Sequence, residues 1–81
     1  MEFKIEFSDE ALRDLDDLPE QDYRLMMKRI MQLQSGLVGD ILKVRTGPYD
    51  FRLRSGDFRA FFEIKGGRVL IHRVLNRKDS Y

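Results

Sequence analysis

The chain has 81 residues, with 42% hydrophobic and 36% charged residues, no cysteine and a single histidine. A chain this short predicts one domain over residues 1–81, because it buries only about 60–65% of its unfolded surface and cannot divide a core. The absence of cysteine excludes disulfides and thiolate metal sites, and a single histidine cannot by itself form a histidine-based zinc or iron site. We therefore expect no metal and no cofactor. No long apolar segment occurs and the N-terminus carries acids, which predicts a cytoplasmic protein without a membrane segment.

Charge is distributed unevenly along the chain. Residues 1–40 hold five Lys/Arg and ten Asp/Glu, a balance of −5, whereas residues 41–81 hold ten Lys/Arg and four Asp/Glu, a balance of +6. Such sorting indicates an anionic partner for the second half, with nucleic acid the first candidate. A solvated surface that happens to be sorted in this order is the alternative.

The first predicted element is a strand. Glu2 to Phe7 alternates charged and apolar residues, which is the period of a half-buried strand. Ser8 then predicts the start of a helix, because its hydroxyl can accept a free backbone N–H and the two acids after it favour the positive end of a helix dipole. Pro19 ends this first helix after Leu18.

A second helix is predicted from about Glu20 to Ser35, where apolar residues recur at spacings of three and four. Gly36 is suited to follow it, since glycine readily adopts the left-handed conformation found after many helices. Three methionines on this helix are interpreted as core filler against a sheet rather than as a recognition surface. They are Met26, Met27 and Met31.

From Ile41 onward the apolar period changes to two, which is typical of strands. Turn signals at Ser55-Gly56 and Gly66-Gly67 divide this segment into three strands. The strands are predicted at about Tyr49 to Arg54, Phe58 to Lys65 and Arg68 to Leu75. The order β-α-α-β-β-β predicts an α+β fold, with an N-terminal helical hairpin packed on one face of a small, mainly antiparallel sheet.

Two-residue turns at these positions decide which side chains share a face of the sheet. One face is then apolar and suited to be covered by the helices. It carries Tyr49, Phe51, Leu53, Phe58, Ala60, Phe62, Ile64, Val69 and Ile71. The other face sets Arg52 directly opposite Arg59. With them lie Arg54, Lys65 and His72, interleaved with Phe61, Leu70 and Val74. Adjacent arginines repel, so we expect an anion between them.

Three segments of the second half resemble the RelE/ParE toxin superfamily. They are Leu42 to Gly47, the stretch YDFRLRSGDFRAFFEI over residues 49–64 and the closing HRVLNRKDSY over residues 72–81. Members typically show a strand ending in R-x-R-x-G-D-Y-R, a following apolar strand and a closing V-x-H-R-x-x-x-Y. The matching residues are Arg52, Arg54, Gly56, Asp57, Arg59, Arg77 and Tyr81. Because these toxins also begin with a strand and a helical hairpin, the resemblance covers nearly the whole chain.

The resemblance implies the toxin of a type II toxin-antitoxin system, a ribosome-dependent endoribonuclease that cuts messenger RNA in the A site. It implies as partner a small RelB-like antitoxin that holds the toxin inactive, with operator DNA bound only through the antitoxin complex. By resemblance, Arg59 and Arg77 contact the scissile phosphate. Arg52 stands where the family often has a basic catalytic residue, and Tyr81 stacks on or orients the substrate. Lys43, Arg45, Arg54 and Lys78 are expected to bind the RNA.

The sequence departs from the RelE pattern at three positions. Asp50 and Arg52 stand where two lysines are common, and Asn76 stands where histidine is frequent. Arginine stays protonated at neutral pH and is a poor base, so the group that takes the proton is left open. Two alternative functions therefore accompany the nuclease. One is a ParE-like inhibitor of DNA gyrase, and the other is a degenerate homologue that binds its antitoxin but cleaves nothing.

Several charged residues also have structural interpretations. Arg52 and Arg59 could be solvated cross-strand charges paired with Asp50 or Glu63. Arg54 is expected to order the turn beside Asp57. Arg73 falls on the core face by alternation, so we expect it at a helix edge with its stem buried and its head in water. His72 is expected to pack or to be covered by a partner, although its titration range suits proton transfer.

Overall fold

The computed structural model of the protein describes residues 2–45 and 47–79. Two helices and five strands make up this part of the chain. They are β1 (Lys4–Phe7), α1 (Asp9–Asp16), α2 (Glu20–Gln32), β2 (Ile41–Lys43), β3 (Phe51–Ser55), β4 (Phe58–Lys65) and β5 (Arg68–Asn76). One-turn 3₁₀ helices at Leu33–Ser35 and Arg77–Asp79 continue α2 and follow β5. The predicted α+β class is confirmed, with one strand more than the sequence pattern indicated.

The five strands form one sheet in the order β1-β5-β4-β3-β2. β1 runs parallel to β5, and the other neighbouring strands are antiparallel, so the sheet is mainly antiparallel as predicted. The additional strand is β2, which pairs with β3 and sets Leu42 opposite Arg52. Three residues are too few for alternation to reveal a strand, which is why the sequence pattern missed it.

The two helices begin where the sequence predicts. Ser8 caps α1: its Oγ accepts the backbone N–H of Ala11 at 3.0 Å and donates to the carbonyl of His72 at 2.8 Å. One side chain thus starts the helix and ties it to β5. The second helix begins at Glu20, directly after Pro19, but its α-helical part ends at Gln32, earlier than predicted. None of the helices in the described ranges is long and apolar enough to cross a membrane.

One apolar core lies between the helices and one face of the sheet. Its largest fully buried side chains are Met26, Ile30, Leu33, Leu53, Phe62, Val69 and Ile71. The apolar face predicted from alternation is therefore the covered one. Of the three methionines interpreted as core filler, Met26 is fully buried, Met27 packs against the core, and Met31 is 38% exposed.

The hairpin between β3 and β4 has a register different from the predicted one. Ser55 pairs with Phe58, so the two-residue turn is Gly56-Asp57 rather than Ser55-Gly56. Gly56 has a φ of 59° at the first turn position, a conformation that favours glycine. Each residue of β3 is therefore paired two positions further along β4 than predicted. Because side chains alternate with a period of two, each of them stays on its predicted face. Arg54, and not Arg52, lies opposite Arg59.

The pairing of β5 with β4 follows the predicted register only from Arg68 to Ile71. An irregularity then shifts the register between Phe62 and Phe61, so that Phe61 pairs with Arg73. The extra residue, His72, changes the alternation of side chains beyond it, as a β-bulge does. Val74 consequently joins the core at 3% exposure, which corrects its predicted place beside the arginines. Sequence alternation contains no signal for such an insertion.

Two further side chains lie where alternation did not place them. Tyr49 precedes β3 and does not belong to the core face, because its ring stacks on His72 at 5.2 Å and lies 5.8 Å from Phe61. Arg73 does reach a helix edge, as expected, but its head is not left to water. Its Nε donates to Asp14 Oδ2 of α1 at 2.8 Å.

Candidate arginine cleft

The face of the sheet opposite the helices, called here the open face, presents cations beside apolar side chains. Its members come from β2 to β5. They are Leu42, Arg52, Arg54, Arg59, Phe61, Glu63, Leu70, His72 and Leu75. Three of the arginines converge on a small cavity of about 170 Å³, called here the arginine cleft. It is lined by Asp40, Leu42, Arg52, Arg54 and Arg59.

Arg59 is the most buried cation of the cleft, at 6% exposure. Its Nη1 donates to the carbonyl oxygens of Gly56 and Phe58, both at 3.1 Å. These two bonds hold the guanidinium against the β3–β4 turn. Within residues 2–45 and 47–79 it makes no ion pair with a carboxylate, in contrast to the pairing with Glu63 considered from the sequence. Both hydrogen bonds come from Nη1, which supplies two of the five N–H donors of arginine.

The rim of the cleft contains one carboxylate that sequence reasoning missed. Asp40 precedes β2, and its Oδ2 lies 3.9 Å from Nη1 of Arg54, with both side chains more than half exposed. Its carbonyl also accepts the backbone N–H of Arg54 at 2.9 Å. The expectation that Arg54 orders the turn beside Asp57 is therefore wrong. Asp40 belongs to the acidic half of the chain and reaches the arginines only because β2 pairs with β3.

A larger cavity of about 430 Å³ adjoins the cleft and is called here the aromatic pocket. Its walls are mainly apolar and include Tyr49, Phe61, Leu75 and Leu42. Arg52 and Leu42 line both cavities, so the two share a wall. Lys43, one of the predicted RNA-binding residues, lines the aromatic pocket, whereas Arg45 is exposed and lines neither cavity.

The structure does not bring Arg77 into the arginine cleft. Arg77 and Lys78 are exposed and line a separate depression with Asp57 and Asn76. The backbone N–H of Arg77 nevertheless donates to the carbonyl of Asp57 at 2.7 Å, so the same turn that holds Arg59 also holds the start of the C-terminal segment. Tyr81 lies outside the described residues.

The single histidine belongs to the open face but not to either cavity. His72 Nε2 lies 3.5 Å from a carboxylate oxygen of Glu63, and the ring stacks on Tyr49. This packing agrees with a structural interpretation, although the sequence alone did not specify its partners. Among the described residues, no three His, Asp or Glu side chains are grouped as they would be around a metal ion.

Comparison with known proteins identifies the family. The family model described as the ParE toxin of the type II toxin-antitoxin system, parDE, matches residues 5–81. The chain belongs to this family. The membership confirms the predicted RelE/ParE superfamily and makes the protein a toxin of a type II toxin-antitoxin system by family and fold. No curated protein sequence matches it at a significant level.

Several solved structures with the same fold are complexes of RelE toxins with RelB antitoxins. The RelB-RelE complex from Methanococcus jannaschii matches at 26% identity and a TM-score of 0.78, covering 91% of this chain and 92% of that one. RelBE2 from Mycobacterium tuberculosis matches at 23% identity and a TM-score of 0.82, covering 95% and 100%. The archaeal complex from Pyrococcus horikoshii matches at 24% and 0.80, covering 95% and 97%. The fold of the toxin is thus that of RelE proteins along nearly its full length.

Proposed function

We propose that this toxin is a ribosome-dependent endoribonuclease of the cytoplasm that binds a messenger RNA phosphate in the arginine cleft and cleaves the chain beside it in the ribosomal A site. A small RelB-like antitoxin would hold it inactive, and operator DNA would be bound only through the antitoxin complex. The observation that carries the proposal is Arg59, which is 6% exposed and makes no ion pair with a carboxylate within the described residues.

A buried guanidinium without a counter-ion is unfavourable, because the charge loses hydration that nothing replaces. Two carbonyl oxygens offset part of that cost for Arg59, and a bound anion would offset more. Arg52 and Arg54 line the same cleft, so its described lining holds three cations and the single carboxylate of Asp40, and the local potential is positive. A cavity of about 170 Å³ lies below the range of roughly 300–1,000 Å³ found for drug-sized ligands, and it suits a single phosphate group.

Three cations around a phosphate supply the main requirement of RNA cleavage. When the ribose 2′-oxygen attacks phosphorus, the O2′–P bond forms, the P–O5′ bond breaks and negative charge grows on the nonbridging oxygens. Arg52 and Arg59 would stabilise that charge, since fixed donors act most strongly where charge develops in the transition state. The product is a 2′,3′-cyclic phosphate, and the 5′-oxygen leaves with a proton taken from water. The hydroxide left behind takes up the proton that the 2′-hydroxyl gave to the base, so no proton is gained or lost.

Among the described residues that line the cleft, Asp40 is the group that can accept the proton of the 2′-hydroxyl. It is the carboxylate among the lining residues, and arginine does not act as a base at neutral pH. Arg54, which lies 3.9 Å from it, would hold it in place. Lys43, Arg45, Arg77 and Lys78 would contact flanking phosphates, and Tyr81 would orient the substrate, as the family resemblance implies.

The cleavage itself is tested with purified toxin, ribosomes and a translated message, read by primer extension. We expect cuts within codons that occupy the A site, and their inhibition by the antitoxin. Free message without ribosomes should be cut far more slowly. An uncut message in the presence of active ribosomes and soluble, folded toxin would exclude the nuclease.

Substitution of Asp40 tests the proton acceptor. Asp40→Asn should lower the cleavage rate by about 10²-fold or more, as is usual for the loss of a general base. RNA binding should be unchanged or tighter, because a negative charge leaves the cleft. Asp50→Asn is the matched control, since Asp50 is also exposed and close in sequence but does not line the cleft. Equal cleavage rates for the two variants would remove Asp40 from the mechanism.

Inhibition of DNA gyrase is the second candidate, and the observation that favours it is the match to the ParE toxin family. In that case the open face would bind protein instead of RNA. A supercoiling assay separates the two, because blocked gyrase accumulates cleaved DNA while the message stays intact. A homologue that binds only its antitoxin would give neither cleaved DNA nor cleaved message.

A further inference from the structure

We infer that the aromatic pocket binds a nucleobase of the same RNA strand whose phosphate occupies the arginine cleft. This inference rests on the RNA-binding part of the proposed function. It assigns to the toxin a second subsite, for the base of a nucleotide that adjoins the bound phosphate.

The two cavities are neighbours on the open face, because Arg52 and Leu42 line both. The cleft is small and cationic, whereas the pocket is larger, at about 430 Å³, and falls within the size range of small-molecule sites. The phosphate group of a nucleotide is small and charged, so it suits the cleft. The base is larger, flat and weakly polar, so it suits the pocket.

The walls of the pocket suit an aromatic ring. Tyr49 and Phe61 lie 5.8 Å apart at an angle of 41°, and both line the cavity. The stacking of Tyr49 on His72 fixes the orientation of the tyrosine ring before any ligand arrives. Unpaired bases of single-stranded RNA commonly stack on such aromatic side chains, and each stack strengthens binding about tenfold or more.

Charge favours a nucleotide over an apolar protein side chain as the occupant. Among the described residues that line the pocket, Lys43 and Arg52 are cations and Asp79 is an acid. The two cations attract a phosphate-bearing ligand, whereas an uncharged apolar side chain gains nothing from them. Leu42, which is 52% exposed, offers an apolar rim that a base would cover.

The test uses a fluorescently labelled hexanucleotide of 2′-O-methyl RNA, which binds but cannot be cut, and a set in which one nucleotide at a time lacks its base. With wild-type toxin, loss of one particular base should weaken binding about tenfold. In Tyr49→Leu that dependence should fall below about twofold. Leu42→Ala, on the exposed rim, should reduce it without threatening the fold. Tyr23→Ala is the control, because Tyr23 is 39% exposed on α2.

The outcomes separate this inference from the cleavage proposal. A base dependence that Tyr49→Leu and Leu42→Ala remove supports the pocket even if no message is ever cut. The pocket is overturned if wild type does not bind the hexanucleotide, if all abasic variants bind alike, or if the dependence survives both substitutions. It is also overturned if the two substitutions weaken antitoxin binding alone, since the occupant would then be a protein side chain.

Discussion

Arg59 on β4 and Arg73 on β5 are both held in the folded protein, but by opposite kinds of partner. Arg73 is bound by carboxylates of α1: Asp14 lies 2.8 Å from its Nε and Glu10 lies 3.5 Å from its Nη1. Arg59 is held by carbonyl oxygens alone among the described residues and is the more deeply buried of the two. The charge of Arg73 is therefore balanced by carboxylates, whereas the charge of Arg59 is not balanced by an ion pair among the described residues.

The difference teaches how a structural arginine can be distinguished from a binding one. The hydrogen bond with Asp14 raises the pKa of Arg73 above its ordinary value, so the ion pair stabilises the charged guanidinium. Asp14 also accepts the backbone N–H of Val74 at 2.9 Å, which joins the helix to the strand beyond the bulge. This pair therefore connects elements of the fold, whereas Arg59 makes no ion pair with a carboxylate among the described residues, as the proposed anion site requires.

The largest expected effect is on cleavage and comes from Arg59→Gln. The rate should fall by about 10²–10³, the loss typical of removing one donor to a developing negative charge. The free energy of unfolding should change by no more than about 1 kcal/mol, because two lost hydrogen bonds are offset by removal of a buried, unpaired charge. Primer extension and urea unfolding measure the two quantities.

Arg68→Gln is the matched control for Arg59→Gln, since Arg68 is exposed on β5 and pairs with Glu6 at 3.3 Å. It should leave both cleavage and stability nearly unchanged. A stable Arg59→Gln protein that cuts at the wild-type rate would show that Arg59 serves only to hold the β3–β4 turn and does not bind the RNA phosphate.

The next largest effect is on stability and comes from Asp14→Ala. It removes the acceptor of Arg73 and of the Val74 N–H, so the free energy of unfolding should fall by about 2 kcal/mol. Cleavage per folded molecule should stay within about twofold of wild type, as measured below the unfolding transition. Asp16→Ala, at an exposed position of the same helix, should cost much less. Equal destabilisation by both would show that the pair contributes little.

The smallest effect is expected at the turn that holds Arg59. Gly56 has a φ of 59°, so Gly56→Ala should destabilise the protein by about 1 kcal/mol through backbone strain, although a Cβ there would meet no neighbour. Gly56→Asn should cost less, because asparagine tolerates the left-handed conformation. Thermal unfolding of the two variants compares them directly. Identical melting temperatures for Gly56→Ala and wild type would show that the positive φ at position 56 does not strain an alanine there.

Local patterns in the sequence were enough to predict the helical hairpin, the N-cap at Ser8 and the face on which most side chains of the sheet lie, although Tyr49 and Val74 lie elsewhere than predicted. These features depend on the spacing of apolar residues and on neighbours a few positions apart, both of which a single sequence contains. The resemblance of the segment around Arg52 and Arg59 to the superfamily also lay in contiguous residues. Fold class and family could therefore be predicted before any coordinates were known.

Only the tertiary structure decided how the side chains of the open face are arranged. The turn at Gly56-Asp57 set Arg54 opposite Arg59, and the bulge at His72 moved Val74 into the core. Asp40 joined the arginines through the pairing of β2 with β3, from the acidic half of the chain. The alternation of apolar and polar residues along a strand shows which face of the sheet a side chain lies on, but not which residue of the next strand lies opposite it. That pairing is set by the packing of the whole sheet. The chemistry of the cleft depends on those partners.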